Sequence, residues 1–229
     1  MQNGFVLSEN NFTDAEAATS TGCLCILLWP PFSTIIAGLA LFIALIHLPL
    51  NPTNPEVVPA PVSSGSIASF FTPEVQHWAA KIVAWSAEQG LDPNLAATVM
   101  QIESCGDPFA LSPAGAAGLF QVMPYHFSAG ENSFEPQTNA DRGLGYLKQA
   151  LAQYPDPGLA LAAYNGGIQG ASRPSDLWAQ ETRDYLYWGE AIYADATAGR
   201  AASEVLDEWL AAGGASLCAQ AAQRAAGSY

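Results

Sequence analysis

One glutamate carries the clearest chemical signal in this chain. Glu103 lies near the end of a segment in which Leu95, Val99 and Ile102 recur at helical spacing. At about 100° per residue it falls between the directions of Val99 and Ala96, so the spacing sets a carboxylate on the apolar face of a helix. Loss of water there raises the pKa of the carboxyl, and the negative end of the helix dipole pushes the same way. A carboxyl that keeps its proton near neutral pH is a general acid, suited to protonating the leaving oxygen of a glycosidic bond. Taken alone, this helix favours the plainer reading, a helix-end glutamate turned out to water.

Other chemistries find no residues at useful spacing. His47, His77 and His126 are scattered, and no Cys-x-x-Cys occurs, so no metal-ligand set is expected. Nucleophilic serine or cysteine machinery lacks a motif, and nucleotide and pyridoxal cofactors have no support. No cofactor is expected. Seven Lys and Arg stand against 21 Asp and Glu, a net charge of −14 without a basic patch, which argues against nucleic acid as a partner.

The elements that must position Glu103 are helical throughout. Thr72-Pro73 opens a segment with Val75, Ala79, Ile82 and Ser86 at helix spacing, and Gly90 stops it. Asp92-Pro93 repeats the start signal for the helix of Glu103. Ala140, Leu144, Leu147 and Leu151 form another stripe, and a short one runs from Leu159 to Tyr164 before Gly166-Gly167. Further helices are expected at about 181–197, 203–212 and 215–225. With no alternating pattern of period two, the expected fold is an all-α domain over residues 72–229.

The N-terminal third reads differently. Only 12% of all residues are charged, against about 25% in a typical domain, and residues 23–50 contain no Asp, Glu, Lys or Arg. A helix from about Pro31 to Leu50 has roughly the 20 residues that a bilayer core requires, so 23–50 is expected to be a transmembrane anchor. A signal peptide fits less well because the basic start is missing, and Cys23 and Cys25 precede the apolar run where a lipoprotein cysteine would follow it. Residues 1–22 read as a disordered tail. Residues 51–71, with Pro52, Pro55, Pro59, Pro61 and Ser63-Ser64-Gly65-Ser66, read as a linker. The first basic residue is Lys81, so charge leaves the orientation of the anchor undetermined.

Four further segments change the weight given to Glu103. Gln101-Ile102-Glu103-Ser104, Ala117-Gly118-Leu119-Phe120-Gln121-Val122-Met123-Pro124, Ala163-Tyr164-Asn165-Gly166-Gly167 and Glu181-Thr182-Arg183-Asp184-Tyr185 follow one another in that order. Together they resemble the lysozyme-like lytic transglycosylases of the soluble-lytic-transglycosylase type, with Asn139 to Leu147 similar to that family's structural helix. The likeness covers most of residues 72–200. It implies a lysozyme-like fold and cleavage of the bond between N-acetylmuramic acid and N-acetylglucosamine in peptidoglycan, ending in a 1,6-anhydro ring.

Carried to matching positions, the resemblance makes Glu103 the acid and base. Ser104 would support that glutamate or the sugar, and Gln121 and Asn165 would bind substrate. Tyr164 would hydrogen-bond Glu103 and orient it, and Tyr185 would line the same cleft. Phe120 stands where methionine is common, and Leu186 where valine is, which leaves the preferred glycan open. A lysozyme-type hydrolase with a second acid (Asp107, Asp141 or Glu181) and a catalytically silent wall-binding module remain as alternatives. Such a substrate would place the domain outside the cytoplasm, on a single-pass anchor in the cell membrane. Oxidation is permitted there, so Cys105 and Cys218, alone in the domain, are expected to form a disulfide.

Overall fold

The computed structural model describes residues 65–226. The expected tail and anchor, and the part of the linker up to residue 64, lie outside the described residues. Among the described residues no helix is long and apolar enough to cross a membrane. Eight α-helices follow one another there: α1 (Pro73–Gln76), α2 (Ala79–Gln89), α3 (Pro93–Glu103), α4 (Pro136–Gln153), α5 (Pro157–Gly166), α6 (Gln180–Thr197), α7 (Glu204–Trp209) and α8 (Ala215–Ala226). No strand is formed among these residues, only isolated bridges from Ala117 to Leu111 and Val122.

An acidic residue followed by proline opens three of the helices. Asp92 accepts from the Asn94 amide at 2.8 Å, Glu135 from Thr138 at 2.6 Å, and Asp156 from Leu159 at 2.9 Å. In each case the carboxylate satisfies an orphan amide and faces the positive end of the helix dipole, while the proline needs no partner at the first turn. Gly90, at φ 71°, closes α2 in the left-handed region.

The single helix expected from Thr72 to Gly90 is divided into α1 and α2. Trp78 leaves the helical path between them and donates its indole N–H to the Gly106 carbonyl at 2.8 Å. A tertiary bond to the turn beyond Glu103 thus interrupts a run that periodicity alone continues.

Helix α3 is the axis of the core. Every residue from Pro93 to Gln101 is buried, and α2 and α6 pack against it. Its polar side chains are satisfied inside: Asn94 Oδ1 accepts from Ala68 N at 2.7 Å, Gln101 Oε1 from Thr72 N at 3.1 Å, and Thr98 Oγ1 donates to the Asn94 carbonyl at 2.8 Å. These bonds stitch residues 68–72 to α3, and Ile67 and Phe71 are buried beside it. The folded domain therefore starts before the expected boundary at 71/72. Ile67 and Phe71 are too few to form a periodic stripe, and a polar run precedes them.

The C-terminal segment returns to the same place. A wide turn at Leu210–Gly214, with Gly213 at φ 141°, redirects the chain into α8. Cys218 on α8 is disulfide-bonded to Cys105, with Cα atoms 5.0 Å apart. Arg224 pairs with the buried Asp107 at 3.1 Å and donates to the Phe109 carbonyl. Two ties thus hold the turn that leaves Glu103.

Candidate active site

Glu103 is the last residue of α3. Immediately beyond it Cys105 (φ 51°) and Gly106 (φ 79°) take left-handed backbone, which ends the helix sharply. Ser104 is fully buried there. Its hydroxyl donates to the Leu119 carbonyl at 2.6 Å and accepts from the Gly106 amide at 3.1 Å. These bonds go to backbone groups rather than to the Glu103 carboxyl that Ser104 was expected to support. One residue further round the helix end, its side chain points into the protein and ties α3 to the loop before α4.

That loop carries Gln121 and is held from below by Asn139 on α4. The Asn139 amide donates to the carbonyls of Ala117 (2.7 Å) and Ser133 (2.9 Å), and its oxygen accepts from the Phe120 amide at 2.9 Å. The approach requires Gly118, at φ 77°, because a Cβ there would collide with the Asn139 side chain. Gln121 itself is left-handed at φ 44°, and its Nε2 donates to the carbonyls of Gly118 (3.0 Å) and Ala110 (3.2 Å). Backbone strain at a non-glycine residue of this kind is characteristic of sites whose surroundings impose the conformation.

Helices α5 and α6 close the other side. The Tyr164 hydroxyl donates to the Phe120 carbonyl at 2.7 Å, so the orienting bond to Glu103 expected for it is not made. Gly143 on α4 explains its position: a Cβ there would meet Phe120 at 2.5 Å and the Tyr164 hydroxyl at 3.2 Å, so only glycine leaves room. Asn165 is fixed from α6, accepting from Thr182 Oγ1 at 2.8 Å and donating to Glu181 Oε1 at 3.3 Å. Tyr185, one turn beyond Glu181, is buried and its hydroxyl has no partner of ordinary hydrogen-bond geometry. The group it acts on is the Glu103 carboxyl.

The electrostatics of the carboxyl follow from this packing. Glu103 keeps a partial opening to solvent, yet the protein around it leaves too little water to solvate a charge. Burial pushes its pKa up to about 8; the Tyr185 hydroxyl pulls against that, and the negative charge of Glu181 adds to it. Burial also raises the Glu181 carboxyl, against the opposing hydrogen bond from Asn165. The hydroxyls of Tyr164 and Tyr185 are raised well above the usual range by burial and then by the charge of Glu103. Both therefore stay neutral donors through the working pH range. The arrangement can deliver a proton at neutral pH and take one back.

The other acids are placed differently. Asp107 is buried in its pair with Arg224, and Asp141 accepts from Gln137 at 3.0 Å on an exposed stretch of α4. Only Glu181, of the three, bears on Glu103. Ligand atoms of Glu74, Cys105 and Cys218 lie within 4.8 Å of one another, but the two sulfurs are joined in the disulfide and offer no thiolate to a metal.

Against known proteins, residues 81–182 match the family model described as the transglycosylase SLT domain. Those residues, a little under half of the chain, are similar to a transglycosylase SLT domain. Over 110 residues the chain is 40% identical to a transglycosylase of Enterobacteria phage PRD1, covering 47% of this chain and 40% of that protein. It is 29% identical over 136 residues to the membrane-bound lytic murein transglycosylase C of Mannheimia succiniciproducens, covering 50% of this chain and 38% of that protein. The chain thus spans two fifths or less of these relatives. A solved structure of an inactive mutant of the lytic transglycosylase Slt from Pseudomonas aeruginosa is 24% identical with a TM-score of 0.43, over 53% of this chain and 24% of that one.

Around this site, Glu103 comes from α3, Gln121 from the loop before α4, and Tyr164 and Asn165 from α5, while Tyr185 joins them from α6, just past the last matched residue. Ser104 is the one expected site residue turned away. Thr182 and Asn139 had no assigned role in the sequence, although one signal was available: Asn139 is a polar residue set on the otherwise apolar stripe of α4.

Proposed function

We propose that this protein is a peptidoglycan lytic transglycosylase that cleaves the bond between N-acetylmuramic acid and N-acetylglucosamine. The observation that carries the reading is the Glu103 carboxyl, kept protonated up to about pH 8 by burial and by Glu181, with the Tyr185 hydroxyl against it. Glu103 donates its proton to the glycosidic oxygen as the C–O bond breaks. The N-acetyl group of the muramic acid stabilises the positive charge that develops at its C1. Glu103, now a carboxylate, removes the proton from the 6-hydroxyl of the same sugar, and that oxygen closes on C1. One product ends in a 1,6-anhydro ring, the other in a free 4-hydroxyl, and the acid is restored without water.

Asn165 and Gln121 bind the acetamido and hydroxyl groups beside the bond, and Thr182 and Glu181 hold the Asn165 amide in one orientation. With residues 23–50 as an anchor, it is the peptidoglycan substrate that calls for a domain at the outer face of the cell membrane. Mass spectrometry of products from purified sacculi tests the chemistry: anhydro ends are expected throughout. A hydrolase is the second reading, supported by the influence of Glu181 on Glu103. Reducing ends that carry oxygen-18 from labelled water would establish it in place of the first. Intact sacculi after incubation would leave only a binding module.

A further inference from the structure

Tyr125 and His126 have no task in that chemistry. Tyr125 is 75% exposed, the most exposed large apolar or aromatic side chain among the described residues. It is nonetheless not a loose surface ring. Its centroid lies 4.6 Å from that of His126, His126 lies 4.6 Å from Tyr146, and Tyr146 lies 5.7 Å from Tyr164. Tyr164 in turn stands within the field of Glu103. The ladder is fastened at both ends. Tyr125 and His126 sit in a short 3-10 turn that starts at Pro124, three residues after Gln121. Tyr146 Oη accepts from the Ile168 amide at 3.2 Å, just past Asn165-Gly166-Gly167.

An unbroken row of rings running from the acid out to solvent suits an extended ligand with flat apolar faces and polar edges. A pyranose chain has that character: its C–H faces rest on aromatic rings, and its hydroxyls and acetamido groups reach the edges, where Tyr O–H and His N–H groups are available. Stacking is also the attraction open to this chain. With a net charge of −14 it gains nothing from long-range attraction to an anionic wall polymer, whereas ring–sugar contact is indifferent to charge.

We propose that Tyr125, His126 and Tyr146 form a stacking platform for saccharide units of the glycan strand lying beyond those at Glu103, so that the protein favours long strands over short fragments. This rests on the glycan-cleaving reading for its substrate. The test compares the full chain with Tyr125→Ala/His126→Ala, which leaves Pro124 and the core untouched, and with Tyr125→Phe, which keeps the ring. For strands released from sacculi, KM of the double variant is expected to rise about ten-fold with kcat within about two-fold. KM for tetrasaccharide is expected to stay as in the wild type, and Tyr125→Phe to behave as the wild type throughout. An unchanged KM for long strands, or an equal rise for long and short substrates, overturns the platform. Co-sedimentation with sacculi, in the Glu103→Gln background, separates the two readings. A ten-fold weaker association on loss of the two rings supports the platform even if the wild type cleaves nothing, and equal association overturns it even if the wild type cleaves.

Discussion

Tyr164 gives its hydroxyl proton to the carbonyl of Phe120, 2.7 Å away, and so anchors the loop that carries Gln121 rather than the carboxyl of Glu103. The hydroxyl that bears on the charge of the carboxyl is that of Tyr185, which comes from a different helix. Two tyrosines of the same chemistry thus do different work, and their substitution separates them.

Tyr164→Phe leaves the carbonyl of a fully buried residue without a donor. A loss of about 1–3 kcal/mol in unfolding free energy is expected, measured by denaturant titration. Its kcat/KM profile against pH is expected to keep the wild-type alkaline limb, since the removed bond does not involve Glu103.

Tyr185→Phe and Glu181→Gln are expected to move that limb in opposite directions. In the proposed mechanism activity requires protonated Glu103, so wild-type kcat/KM is expected to fall as pH rises through about 8. The Tyr185 hydroxyl favours the charged carboxylate; without it the pKa rises and the limb moves to higher pH. Glu181 disfavours that charge; its neutral amide lets the pKa fall and moves the limb lower. Shifts of the same sign in both variants would contradict this account of the site.

Glu103→Gln is expected to lower turnover by at least about 10²–10⁴-fold on purified sacculi while the fold persists. It is also expected to stabilise the protein. Between the ordinary value of 4.5 and the native value of about 8, the unfolded chain releases a proton that the folded chain retains. The wild type therefore loses stability as pH rises through that window. The variant has no such proton, so it is expected to exceed the wild type by roughly 1–3 kcal/mol near pH 7.5 and to converge with it near pH 4.5. Thermal unfolding at the two pH values checks the sign.

The tie between Cys105 and Cys218 closes a loop with a sequence separation of 113. In the chain-entropy model its removal costs up to about 4–5 kcal/mol, so Cys105→Ser/Cys218→Ser is expected to unfold at markedly lower denaturant. Unreduced denatured protein is expected to leave both cysteines unalkylated, which peptide mapping reads directly. Because the bridge holds the turn after Glu103, the double variant should also lose kcat.

The helices were largely legible in the sequence because their signals are local. The Asp92-Pro93 start and the Gly90 stop act through bonds within one turn, and the stripe of Ala140, Leu144 and Leu147 is a property of spacing alone. Periodicity placed Glu103 on an apolar face for the same reason. The features that local spacing does not carry depend on distant partners. The break at Trp78 is imposed by the carbonyl of Gly106, and Ile67 and Phe71 belong to the domain because Asn94 and Gln101 capture the backbone of Ala68 and Thr72.

The site divides along the same line. Residue types and their order along the chain were enough to group an acid, two amides and two tyrosines as candidates for one glycan-directed chemistry, because those functional groups belong to the side chains themselves. Which tyrosine meets the acid, which way Ser104 faces, and that Glu181 bears on Glu103 were decided only when α3, α5 and α6 packed. Hydrogen-bond direction and the loss of water at a carboxyl are set by atoms a few ångströms away in space, and those atoms lie up to 82 residues away along the chain, at Tyr185.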